Sequence, residues 1–234
     1  RGRFANTLIL TSLYSRLTAS PDTVTRRPPR WVVACVVCLL TLPGRLSQAD
    51  SPTPSSVPEL QALRTEQPPV VDGRLDDEAW KSVPATRAFI QKFPKERGLP
   101  SEPTSLQVLY DNDALYIAID CTQREVPIVR RLTRRDRKVD ADYVTVALDS
   151  RRDGTTAFEF TVSAAGVLVD GIRFNDTEFD DTWDENWDGR TAQTADGWSA
   201  ELRIPLRILR FDRVPVQDWG MQVRRYTALR QETD

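Results

Sequence analysis

The 234-residue sequence contains no histidine. That excludes Ser-His-Asp and Cys-His nucleophile systems, His-ligated zinc and any imidazole base. Chemistry on this chain would have to run on carboxylates, lysine, tyrosine, serine or a bound ion. Cysteine is scarce as well. Two of the three, Cys35 and Cys38, fall in an apolar run near the N-terminus, so Cys121 is left without an internal disulfide partner and reads as a small buried apolar residue on a strand. Glycine is outnumbered by proline, 10 to 16, which favours extended segments and loops over a helical bundle. Neither a glycine-rich phosphate loop nor a nucleophile elbow is present.

What is present is an ordinary globular composition, 40% hydrophobic and 28% charged, of a length that suits one domain. The net charge of −2 hides an asymmetry. Residues 1–49 hold seven of the 32 bases and one of the 34 acids, leaving 25 bases against 33 acids in residues 50–234. An acidic body is a poor general partner for nucleic acid, which needs basic surface. The basic stretch Arg130-Arg131-Leu-Thr-Arg134-Arg135-Asp136-Arg137-Lys138 has no aromatic interleaving and reads as solvated surface.

Residues 1–49 read as an N-terminal extension and signal peptide. Arg26-Arg27-Pro-Pro-Arg30 is a basic n-region, Trp31 to Leu42 an apolar run, and Leu46-Ser47-Gln48-Ala49 a small-residue cleavage site. The twelve-residue run is short of the ~20 residues that span a bilayer. Export to the periplasm, outer membrane or exterior is the expectation, and a start near Val24 would give this leader an ordinary length. Residues 50–69, rich in proline and serine, read as a linker despite the apolar stretch Leu60 to Leu63.

From Val70 to Asp234 the dominant pattern has period two. Thr104–Tyr110, the turn Asp111-Asn-Asp113 and Ala114–Asp120 predict a hairpin. Further strands are expected at 142–149, 156–162, 166–172, 190–194, 198–204 and 219–229. Single helical turns are expected at 76–80 and 205–209. Regular short strands with turn punctuation predict an all-β fold, an antiparallel jelly-roll-like β-sandwich.

Val71-Asp-Gly-Arg-Leu-Asp-Asp-Glu-Ala-Trp80 resembles the opening motif of family 9 carbohydrate-binding modules. Arg135-Asp136, Asp140-Ala-Asp142-Tyr-Val-Thr-Val-Ala-Leu-Asp149, Asp153-Gly154, Phe160, Gly166, Asp170 and Gly197-Trp-Ser-Ala-Glu201-Leu-Arg-Ile-Pro205 continue the likeness over about Val70 to Arg230. The resemblance implies a β-sandwich, binding of polysaccharide or oligosaccharide, calcium in some members, and a role in carbohydrate catabolism beside degrading enzymes. It also implies a fragment of a larger envelope protein whose C-terminal part is an outer-membrane barrel.

Sugar binding needs aromatic faces and polar neighbours for hydroxyls. Trp183 and Trp187 are four apart, ~13 Å along a strand, with Asp184, Glu185 and Asn186 between them. Trp183, Trp187, Asp184 and Asn186 are the carbohydrate-binding candidates; the competing reading places Trp187 in the core. Trp80, Trp198 and Trp219 read as core. For Ca²⁺ the candidates are Asp149 and Asp153, flanking a tight turn, and Asp180 and Asp181 in the acid-rich stretch 170–188. Turn capping and a solvated loop are the alternatives.

Two other functions compete with a binding module. One is an assembly domain packed on a barrel, which a buried Trp183 would favour. The other is a glycoside hydrolase, which needs two carboxylates facing each other across a groove.

Overall fold

The computed structural model describes residues 7–12, 59–175 and 178–234. Its strands are β1 (Thr7–Ser12), β2 (Glu59–Arg64), β3 (Thr104–Tyr110), β4 (Ala114–Thr122), β5 (Tyr143–Asp149), β6 (Thr156–Ser163), β7 (Leu168–Phe174), β8 (Glu178–Asp180), β9 (Asp188–Gln193), β10 (Gly197–Pro205), β11 (Val216–Thr227) and β12 (Glu232–Thr233). One short helix, α1 (Glu78–Lys81), and a 3-10 turn at Leu206–Ile208 lie at the two places where helical turns are expected.

The strands form one curled sheet in the order β8-β7-β6-β5-β11-β1-β2-β3-β4-β10-β9, with β12 added to β11. Strict alternation sets which residues face inward. In the β5–β6–β7 ladder, Val146 pairs with Phe160 and Leu148 with Phe158, and Phe158 in turn pairs with Ile172. Ile117 and Leu202 on the far half of the sheet join Val146 and Phe160 in the same buried cluster. The two halves therefore close over a single core. A second, smaller cluster lies on the outer face, where Trp80 of α1 packs with Leu109, Tyr116 and Ala118.

Local chemistry explains the turns. The Asp111 carboxylate accepts the backbone N–H groups of Asp113 and Ala114, each at 2.7 Å, and closes the β3–β4 hairpin. Gly73 has φ +91°, and a Cβ there would sit 2.5 Å from the Thr191 backbone carbon, so only glycine fits.

Three expectations need correction. The sheet is mixed: β1 runs parallel to β11, and β2 runs parallel to β3. Parallel neighbours need long connections, and the pairs concerned are far apart in sequence, whereas the hairpins visible in the alternation are all antiparallel. Next, Glu59–Arg64 is a strand and not linker. Leu60 and Ala62 turn to the main core, and Leu63 turns to the outer cluster. Six residues beside a proline- and serine-rich stretch give too short an alternation to stand out. Finally, Thr7–Ser12, within the presumed N-terminal extension, lies between β11 and β2, and Leu8 is fully buried there. Residues 26–49, read above as a signal peptide, lie outside the described residues, as do Cys35 and Cys38.

In the full chain, Leu10→Ala should lower stability by about 2–5 kcal/mol through a cavity in the core. A urea midpoint identical to that of the parent would show that Thr7–Ser12 does not hold the sheet together.

Candidate functional site

Three buried carboxylates fasten the loops to the sheet, and each accepts three hydrogen bonds. Asp142 accepts the backbone N–H of Val129 (3.0 Å), the backbone N–H of Ala228 (2.7 Å) and the side-chain amide of Gln123 (2.7 Å). Glu201 on β10 accepts the N–H groups of Asp72 (3.0 Å) and Gly73 (2.8 Å) and the indole Nε1–H of Trp80 (2.8 Å). Burial raises the pKa of Glu201, and the bonds from Trp80, Gly73 and Asp72 offset part of that rise. Asp170 on β7 accepts the indole Nε1–H of Trp187 (3.0 Å), the Glu185 N–H (2.9 Å) and the Arg135 guanidinium (2.5 Å). Burial likewise raises its pKa, against the bonds from Trp187 and Glu185 and the charge of Arg135.

The Asp170 anchor sets the course of residues 178–188. Arg135 also donates to the Glu185 carbonyl (2.8 Å) and lies 3.3 Å from Asp184. Asp184 is thereby held outward, with an exposed side chain. Trp187 is only 2% exposed and meets Phe160 edge-on at 5.2 Å. Its burial removes it as a stacking surface for sugar: the indole donor needs Asp170, and meeting that need takes the ring into the core.

Trp183 is placed differently. It is half-buried, with its ring centroid 5.1 Å from that of Phe158 and 5.8 Å from that of Phe160. Trp183 and Trp187 thus do not form two coplanar exposed rings. Asn186 and Asp184 are exposed beside them. Next to the Trp183–Phe158 contact lies a shallow depression of about 70 Å³, lined by Ser150, Arg151, Thr156, Phe158, Ile172 and Arg210. Its floor is apolar, hydroxyls and guanidinium groups supply its polar edge, and no carboxylate lines it. A glycosidase pair facing across this groove is therefore missing. Spacing in the sequence pointed to the tryptophans but not to Ser150, Arg151 or Arg210, which meet only through the fold.

The four metal candidates do not converge. Asp149 accepts the N–H groups of Asp153 (3.1 Å) and Gly154 (2.8 Å), while Asp153 accepts Thr155 N–H (2.8 Å) and Thr156 N–H (2.9 Å). Asp180 accepts the N–H and hydroxyl of Thr182. Asp181 is exposed. These carboxylates close turns, which any Asp beside a tight bend does readily. The fold gathers a different group, Asp136, Asp170 and Asp184, with ligand oxygens within 4.8 Å of one another. Arg135 already serves that group as its cation, 3.4 Å from Asp136 and 2.5 Å from Asp170. The residues present therefore do not fit a Ca²⁺ ion, which would have to displace the guanidinium.

Residues 71–233 match the family described as carbohydrate family 9 binding domain-like. The chain belongs to that family. Among solved structures, a family 9 carbohydrate-binding module from Caldicellulosiruptor kristjanssonii in complex with cellotriose is 17% identical, with TM-score 0.52, covering 71% of this chain and 76% of that one. The module from the same organism in complex with glucose is also 17% identical, with TM-score 0.51 over 70% and 78%. A protein from Bacteroides uniformis gives TM-score 0.56 at 9% identity, over 73% and 85%. No curated protein matches the sequence. These likenesses carry the fold. Within the family 9 match, Asp142, Asp170 and Glu201 are anchoring acids.

Asp170→Ala should cost about 2–4 kcal/mol, because it leaves the Trp187 indole and the Glu185 N–H without their buried acceptor. Thermal unfolding checks this, and a loss below ~1 kcal/mol would remove the anchoring role.

Proposed function

We propose that this chain is a non-catalytic carbohydrate-binding domain, and that sugar seats over the depression beside Trp183. The observation that carries the site assignment is one partly exposed indole next to an apolar floor of Phe158 and Ile172, edged by the hydroxyl-bearing Ser150 and Thr156. A pyranose offers a C–H face to aromatic and aliphatic surface and hydroxyls to polar groups around it, which is the pairing these residues supply. Asp184 and Asn186, exposed on the same loop, reach outward toward a longer glycan.

Membership of family 9 supports carbohydrate as the ligand class, and the two family modules with cellotriose and glucose make glucose-based oligosaccharides the first to test. In this reading the two halves of the curled sheet act as the leaves of a sandwich. The basic-apolar-small order of residues 26–49 makes the chain an exported one, set to hold polysaccharide near degrading enzymes in the envelope or outside the cell. Binding does not depend on calcium, since Arg135 occupies the acid-rich position.

Tryptophan fluorescence titrated with xylan, cellotriose and other cello-oligosaccharides tests this. A saturable change, unaltered by EDTA and weakened at least tenfold (about 1.4 kcal/mol) in Trp183→Ala, is expected. A folded protein that responds to none of a broad glycan panel would instead favour the assembly role on a barrel.

A further inference from the structure

We infer that the depression takes a sugar bearing a carboxylate, a uronic acid residue, read by Arg151 and Arg210. This inference rests on the proposed carbohydrate site and names the ligand class it selects. Arg151 follows β5, and Arg210 follows the 3-10 turn at Leu206–Ile208. The two segments are tied together where the Ser150 hydroxyl donates to the Arg210 carbonyl at 2.7 Å. That bond brings the two segments together, and both arginines line the depression with Phe158 and Ile172.

Some arginines of this domain are held by buried acids. Arg135 is held by Asp170, and both Arg173 and Arg224 are held by Glu159. Arg151 and Arg210 take part in no ion pair among the described residues. The acids flanking Arg151 on its turn are occupied. Asp149 is spent on the N–H groups of Asp153 and Gly154, and Asp153 on those of Thr155 and Thr156. Burial pushes the Asp153 carboxyl up, but the bonds from Thr155 and Thr156 outweigh it and hold the carboxyl below its ordinary range. Arg151 adds a smaller pull, through its charge and without contact.

Two guanidinium groups line a depression that has no carboxylate among its lining residues. A neutral glycan would use the floor and the hydroxyls and leave both charges idle. A planar carboxylate matches the paired N–H donors of a guanidinium, and such charge-assisted bonds are roughly twice as strong as neutral ones. The ring of the same residue lies on Phe158 and Ile172 beside Trp183. The opening is small, so it holds one residue of the chain, and the rest of the glycan extends over the surface.

The test is calorimetric titration of the full chain with glucuronate and galacturonate. Each is compared with its neutral parent sugar and its methyl ester, which keeps the ring and removes the charge. Each free uronate should bind at least tenfold more tightly than its ester, and the preference should shrink as salt rises from about 0.02 to 0.5 M. Arg151→Gln and Arg210→Gln, both at exposed positions, should erase the preference by bringing the uronate's affinity down to that of its ester. Equal binding of neutral and acidic sugars, unchanged in both variants, would overturn the uronate assignment and leave the carbohydrate site standing. Absence of binding by every sugar, with circular dichroism showing folded protein, would overturn both.

Discussion

A buried carboxylate that accepts three donors from separate segments is the constraint on which this fold depends. A curled sheet with long excursions between its strands has many loops that hydrophobic burial alone does not position. Asp142, Asp170 and Glu201 solve that locally. Asp142 gathers the loops before β5 and after β11, Glu201 pins the 71–80 motif to β10, and Asp170 draws in the 178–188 segment and Arg135. Each group loses hydration on burial and recovers it as directed hydrogen bonds. Two of the three also bind a tryptophan indole, so the same acids set both the loop path and the orientation of large core rings.

That constraint explains the division of labour between the two tryptophans. Trp187 answers to Asp170 and fills the core. Trp183, four residues earlier, is half-buried against Phe158 and Phe160, and Phe158 in turn lines the depression. The acid-rich stretch around them is therefore architectural: one acid anchors, one cation neutralises, and Asp184 faces outward. Affinity for a ligand has to come from the apolar floor and its polar rim, because no paired carboxylates line the groove.

Much of the domain was legible in the sequence. Alternation located β3 to β7 and β9 to β11 to within a few residues, since a strand with one buried face writes its register into its polarity. Trp80, Trp198 and Trp219 are core residues, as expected. The mixed pairing was not legible, because parallel neighbours leave no hairpin signal. Nor was β2, a short strand next to a proline- and serine-rich stretch, or the three-residue β8. Among site residues, Trp183 was visible as an aromatic in a polar run. Trp187 looked equivalent by spacing, and only its bond to Asp170 distinguishes it. Asp149, Asp153 and Asp180 resemble ligands in one dimension, but backbone amides a few residues on take up their oxygens. Arg151 and Arg210 come together only after folding.

Placement of sugar at Trp183 is the central claim, and ¹⁹F NMR of protein labelled with 5-fluorotryptophan addresses it directly. During titration with cello-oligosaccharide or uronate, the resonance assigned to Trp183 should shift saturably, while those of Trp80, Trp187, Trp198 and Trp219, all buried, stay in place. A binding-dependent shift elsewhere with Trp183 unmoved would contradict the account and put the sugar site on another face.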